Sequence, residues 1–189
     1  MNIISRTLGR LLRGMHAGET HLAWNQGATA HAPVSITLTT DAFPAGGTIP
    51  LRYAGRGVGD NVSPSLRWSN PPTGTAAWVL IMQDPDAPLP RPFVHLIAYD
   101  ISAEVTEFEE GALSTHSNQA QLGRNTFGSS GYAGPRALPG HGAHRYVFQL
   151  FALDRRLGFS KQPSLNTLLR AMQGSVVARA RLDGFFEQK

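Results

Sequence analysis

A chain of 189 residues, 41% hydrophobic and only 16% charged, has the composition of one globular domain, not of a disordered or multi-domain protein. With no cysteine it has no disulfide framework, no thiol nucleophile and no thiolate metal site. The net charge of +4 sits at the two ends, where 1–30 carry three Arg against one Glu and 154–189 seven bases against three acids, while 31–153 carry seven Arg against nine acids. No zinc-finger, helix-turn-helix or RNA-binding pattern accompanies those basic ends, so no nucleic-acid partner is expected.

In chain order, the first segment is MNIISRTLGRLLRGM, which puts Ile4, Leu8, Leu11 and Leu12 on one helical face and Arg6, Arg10 and Arg13 mostly elsewhere. A terminal helix docked on the domain or on a second subunit is one reading; a membrane-surface helix or an organelle presequence is the other. The segment lacks the continuous apolar stretch and cleavage site of a secretory signal, and no apolar run reaches the length of a membrane span. A cytoplasmic location is expected. Residues 14–32 read as a connector, dividing the chain into a helix-and-connector unit (1–32) and a domain (33–189).

Val34–Thr40 alternates apolar and polar residues, as a half-buried strand does, and Leu51–Tyr53 and Leu66–Trp68 read as brief strands. Ala76–Gln83, Phe93–Ile101 and His144–Leu153 are apolar at both parities, the pattern of strands covered on both faces. Residues 104–111 and 154–161 read as connectors, the former acidic and solvated. Ser164 is placed to cap a helix with Leu165, Leu168, Leu169 and Met172 on one face and Gly174 as its stop. Val176–Phe186 reads as further helix followed by a last strand. The sum is a mainly β domain of two packed sheets with helices near its ends.

Two segments hold most of the chemistry. In Asp84-Pro-Asp-Ala-Pro88 the prolines fix the backbone around two carboxylates where a buried strand emerges. They form either a solvated turn or one wall of a cavity. His95 lies inside an apolar strand, as a satisfied core residue or as a functional one. The second segment, GYAGPRALPGHGAHRY over 131–146, is a glycine-rich approach to His144-Arg145-Tyr146. Alternation puts His144 and Tyr146 on one face and Arg145 on the other, where it can pair with one of the loop acids.

Taken together, DPDAP, the strand histidine, GYAGP and HRYVFQLFALD resemble the phosphatidylethanolamine-binding protein family, also called Raf kinase inhibitor protein-like. The stretch Gly123–Gly128 resembles its bacterial branch, and the likeness runs from about residue 34 to 186. The resemblance implies a β-sandwich of two antiparallel sheets with peripheral N- and C-terminal helices and a small anion pocket. It places Asp84, Asp86, Pro88, His95, Tyr132, Gly134, His144 and Tyr146 at that pocket. The implied guest is a phosphate-like or carboxylate-like group, from a phospholipid head group or a phosphorylated side chain, and a protein kinase is an implied partner. A homodimer is a further expectation.

Two positions depart from the family pattern: Leu96 follows the strand histidine where an aromatic residue is common, and Ser175 stands where bacterial relatives often carry a histidine near the pocket lid. Paired acids and histidines can support acid–base catalysis, and Ser129 and Ser130 are candidate nucleophiles, but their context is not the strand-turn-helix elbow of a hydrolase. Asp84, Asp86, His95 and His144 are chemically able to hold a divalent metal, without the close ligand spacing of known metal motifs. The expectation is therefore a non-catalytic anion-binding protein with no cofactor and no metal.

Overall fold

The computed structural model describes residues 3–114 and 116–188; residues 1, 2 and 189, the outer limits of the two units read from the sequence, lie outside it. Its elements are α1 (Ile3–Leu12), β1 (Leu38–Thr39), β2 (Leu66–Trp68), β3 (Ala77–Asp84), β4 (Phe93–Ser102), β5 (Glu107–Phe108), β6 (Gln121–Leu122), β7 (His144–Leu153), α2 (Leu165–Met172) and β8 (Val176–Phe186). The long strands form one open sheet in the order β6-β4-β3-β7-β8, and the short ones a second in the order β1-β2-β5. Every strand pair in both sheets is antiparallel.

The apolar runs at both parities are explained by what covers them. Trp78, Leu80 and Met82 of β3 and Tyr146, Phe148 and Leu150 of β7 face the small sheet, where Trp78 meets Trp68 edge-on at 5.9 Å. The alternate residues Val79, Ile81 and Phe151 face outward, beneath Leu168 and Met172 of α2. Each such fully buried Leu, Ile or Phe contributes about 1.5–3 kcal/mol relative to exposure. Ser164 caps α2 by accepting the Thr167 N–H at 3.3 Å, and Gly174 follows in the left-handed region (φ 72°).

Several local expectations are corrected. Of Val34–Thr40 only β1 is strand, and Leu51–Tyr53 is a single 3-10 turn set by Pro50. Phe108 of β5 is buried, so the stretch 104–111 is not simply solvated. β8 is strand throughout, because Ala178, Ala180, Leu182 and Phe186 alternate with Arg179, Arg181 and Asp183, a period of two that no helix can bury.

The stretch 14–32 is packed against the outer face of the large sheet. The N–H groups of Ala23 and Trp24 donate to the side-chain oxygens of Gln83 and Gln149, both at 2.7 Å. The Arg179 guanidinium lies 3.9 Å from the centroid of the Trp24 ring. Helix α1 docks through a glycine instead of its apolar face: a Cβ on Gly9 would fall 2.1 Å from the Pro139 carbonyl oxygen. Leu8 and Leu11 point away and are exposed, Leu11 by 78%. Among the described residues no helix is long and apolar enough to cross a membrane.

Candidate functional site

β3 and β7 run antiparallel, so the end of one and the start of the other bring Asp84 beside His144 across 60 residues of chain. Asp84 is 3% exposed and His144 2%. Asp84 Oδ1 accepts the Asp86 N–H at 2.8 Å, which folds the DPDAP turn, and Oδ2 accepts from His144 Nδ1 at 2.7 Å. His144 Nε2 lies 2.9 Å from His141 Nδ1, and His141 Nε2 lies 3.1 Å from the Met15 carbonyl oxygen.

A carbonyl oxygen and a carboxylate only accept, so His141 donates to the Met15 carbonyl through Nε2 and His144 donates to Asp84 through Nδ1. The buried Asp84 carboxylate thus accepts from two donors, His144 and the Asp86 N–H. Burial, then the neighbouring His144, push His141 below the ordinary histidine range.

His95 reaches the same place through a bulge. Met82 pairs with Leu96 but Gln83 with Val94, so one residue of β4 is extra there, and His95 and Leu96 both turn toward the inter-sheet side. His95 Nδ1 donates to the Ala133 carbonyl at 2.5 Å, and its ring stands edge-on to Tyr146 at 5.1 Å. Burial is the largest influence on His95 and pushes it below the ordinary histidine range, keeping it neutral.

Asp84, His95 and His144 line a cavity of about 220 Å³ together with Ala87, Pro88, Leu89, Phe93, Phe127, Leu138 and Arg136. Arg136 is exposed, and its guanidinium has neither an ion pair nor a hydrogen bond among the described residues. The remaining residues assigned to the pocket sit around this cavity. Asp86 braces the loop instead, accepting the Arg145 backbone N–H at 2.7 Å. Tyr146 lies behind His95, and its hydroxyl accepts the Arg136 N–H at 3.2 Å. Burial first and Asp84 second hold this phenol well above its ordinary pKa.

Tyr132 and Gly134 line a neighbouring cavity of about 300 Å³, which shares Phe127 and Arg136 as a common wall. Tyr132 donates its hydroxyl to the Tyr53 carbonyl at 2.8 Å, and burial pushes its pKa upward. Ser129 and Ser130 line this second cavity, away from the histidines. Arg145 makes its short contact with Glu19, at 2.6 Å, and approaches Asp86 only to 3.9 Å. Ser175 carries no pocket role: its carbonyl accepts the Asp154 N–H at the far end of β7 from His144. Leu96 is fully buried in the inter-sheet core.

His141 and Arg136 were not assigned from the sequence. Their signal was present in Gly140 and Gly142, which adopt φ 82° and 120° and fold the loop so that His141 meets His144 three residues on. The first 18 residues contribute as well. Ala17 and Gly18 donate to the carbonyls of Ala87 and Pro85, Arg13 donates to the Gly140 carbonyl, and His16 Nδ1 is 3.8 Å from Asp86.

Comparison with known proteins agrees with this architecture. The description "phosphatidylethanolamine-binding protein" belongs to the family whose profile matches residues 39–187. Relatives called UPF0098 protein from Aquifex aeolicus and Methanothermobacter thermautotrophicus are 36% and 37% identical, spanning 78% and 81% of this chain and 85% and 99% of theirs. A putative phosphatidylethanolamine-binding protein homologue from Chlamydia trachomatis superposes with a TM-score of 0.74 at 35% identity, covering 82% of this chain and 98% of that one. YbcL of Escherichia coli, described as a new member of the mammalian family, gives 0.77 at 27% identity, covering 82% and 100%. Fold, motif positions and relatives converge: this chain belongs to the phosphatidylethanolamine-binding protein family, with bacterial and archaeal proteins among its relatives.

Proposed function

We propose that this protein binds a small phosphoryl or carboxylate anion in the cavity lined by Asp84, His95, His144 and Arg136, without turning it over, and acts as a cytoplasmic regulator. The observation that carries this reading is the Arg136 guanidinium, a cation with no counter-ion among the described residues, on the rim of a cavity whose buried acid already accepts from His144 and the Asp86 N–H. An anion there gains a charge-assisted bond without facing an uncompensated carboxylate. A phospholipid head group or a phosphorylated side chain of a kinase partner both present such a group, and both come from the family resemblance.

Calorimetric titration with phosphoethanolamine tests it. Arg136→Ala is expected to weaken binding by about 10- to 100-fold, the range for a hydrogen bond to a charged group. Affinity is expected to rise as pH falls from about 8 to about 6, because a bound anion favours protonation of the nearby imidazoles. The free chain responds in the opposite sense. His95 and His141 are held below the ordinary range, so the unfolded state binds protons first and stability falls as pH drops below about 6.5. Affinity that is flat with pH and indifferent to Arg136 overturns the proposal, as does turnover of a chromogenic ester that His144→Gln abolishes.

A further inference from the structure

A cavity larger than the one holding His95 lies on the opposite face of the main sheet, between α2 and the packed 19–28 segment. It has a volume of about 500 Å³, against about 220 Å³ for the cavity holding His95. Its charged lining is one-sided: Arg91 and Arg124 contribute, beside His21, and no Asp or Glu does. Among the described residues the side chains of all three lack an ion pair or hydrogen bond, so the charge of the two arginines is not spent on the protein itself.

A second, independent feature is Gln83. It is 1% exposed and lines this cavity, and its Oε1 accepts the Ala23 N–H and the Gln149 amide, while its Nε2 has no partner. A buried donor left without an acceptor costs about 1–3 kcal/mol, and a guest that supplies one recovers it. The first turn of α2 opens into the same space through Leu165 and Asn166, whose N–H groups have no intrahelical acceptor and favour negative charge. Leu89, Val94, Leu165 and Leu169 supply the apolar part of the wall, beside Gln26, Asn125, Thr126 and Ser164.

We propose that this outer-face cavity is a second ligand site, for an alkyl or acyl chain that ends in a phosphate or a carboxylate. The anionic end lies between Arg91, Arg124 and the start of α2, and the apolar chain covers Val94, Leu165 and Leu169. The volume lies within the usual span of small-molecule sites, and no Phe, Tyr or Trp lines it to stack on a planar base. A neighbouring cavity sharing Gln26, Asn166 and Leu169 continues along α2 to Arg170, so a longer chain has room to extend.

Calorimetric titration of the full chain with octyl phosphate and with octanoate tests the site and separates its two head-group sources. Saturable binding of at least one is expected, with inorganic phosphate and octanol each weaker by about tenfold or more at this site. The double variant R91A/R124A is expected to lower that affinity about tenfold or more, whereas R136A, which removes the free cation of the other cavity, leaves it unchanged. Arg91 and Arg124 are exposed, so the fold survives their loss; an unchanged melting curve checks this. Leu169→Glu, on the half-buried face of α2, is expected to abolish binding by placing a like charge in the groove. No saturable binding, inorganic phosphate competing as well as octyl phosphate, or a loss that follows R136A instead of the arginine pair would each overturn the assignment.

Discussion

The Asp84→Ala chain is expected to unfold about 10 °C below its parent and to lose its response to phosphoethanolamine. The substitution removes the carboxylate that accepts from both His144 and the Asp86 N–H, leaving an imidazole that is 2% exposed with no acceptor for its Nδ1–H. Breaking a buried pair by deleting one partner costs about 3–5 kcal/mol, a large share of the 5–15 kcal/mol typical of a domain. For a chain of this size each kcal/mol is worth about 2–4 °C. Asp84→Asn keeps the volume and the acceptor for Asp86, and separates charge from shape. Combining it with His144→Gln is expected to restore part of the loss, because neither remaining side chain is then charged. Scanning calorimetry of the four chains gives the coupling directly. Melting of Asp84→Ala within about 1 °C of the parent contradicts a stabilising hydrogen-bonded chain Asp84–His144–His141.

Gly134→Ala is expected to cost about 3 kcal/mol and to weaken anion binding, although position 134 does not line the histidine cavity. The reason is backbone contact, not conformational freedom. A Cβ there would fall 2.1 Å from the Tyr53 carbonyl oxygen and 2.8 Å from both the Ala54 carbonyl carbon and the Gly55 nitrogen. These two stretches are held together on several sides. Asn61 accepts the Gly134 N–H at 2.9 Å and donates to the Tyr132 carbonyl at 3.1 Å, and the Gly55 N–H donates to the Pro135 carbonyl at 2.9 Å. Forcing them apart displaces Arg136, two residues on. Gly27→Ala is the matched control, since nothing lies within 4 Å of its added Cβ, and its melting curve is expected to stay with the parent's.

How much of this was legible depended on whether the determining interaction is local. β3, β4 and β7 were readable because both of their faces are covered, which leaves apolar residues at both parities. α2 was readable because its cap and its apolar stripe lie within eight or nine residues of sequence. β5 and β6 were not, since two-residue strands on a sheet edge have no period to detect. At the site, Asp84, His95 and His144 sit on or beside strongly patterned strands, and the resemblance pointed to them. The bulge that turns His95 inward depends on how β3 pairs with β4, and no single strand encodes a pairing slip. His141 and Arg136 lie on a loop whose course is set by its own Gly134 packing on Tyr53–Gly55 and by Gly9 and Gly55 from elsewhere in the chain. Their roles exist only after the fold has formed.

The N-terminal stretch that leans on the DPDAP turn is clasped at Glu19, which meets Arg181 at 3.1 Å and Arg145 at 2.6 Å. Closing that clasp spans 162 residues of sequence, and its bonds are mostly at or near the surface. Such a strap has a long loop to close and little apolar area to hold it, so it opens at a lower free energy than the sheet beneath it. Hydrogen exchange is expected to release the Ala17 and Gly18 amides well before those of β3 and β7. When they open, His141 loses its acceptor at Met15. A segment that lies before the matched family region is thus joined by hydrogen bonds to the histidine chain without lining its cavity. Changes in this stretch are expected to loosen His141 without altering any residue that lines the cavity.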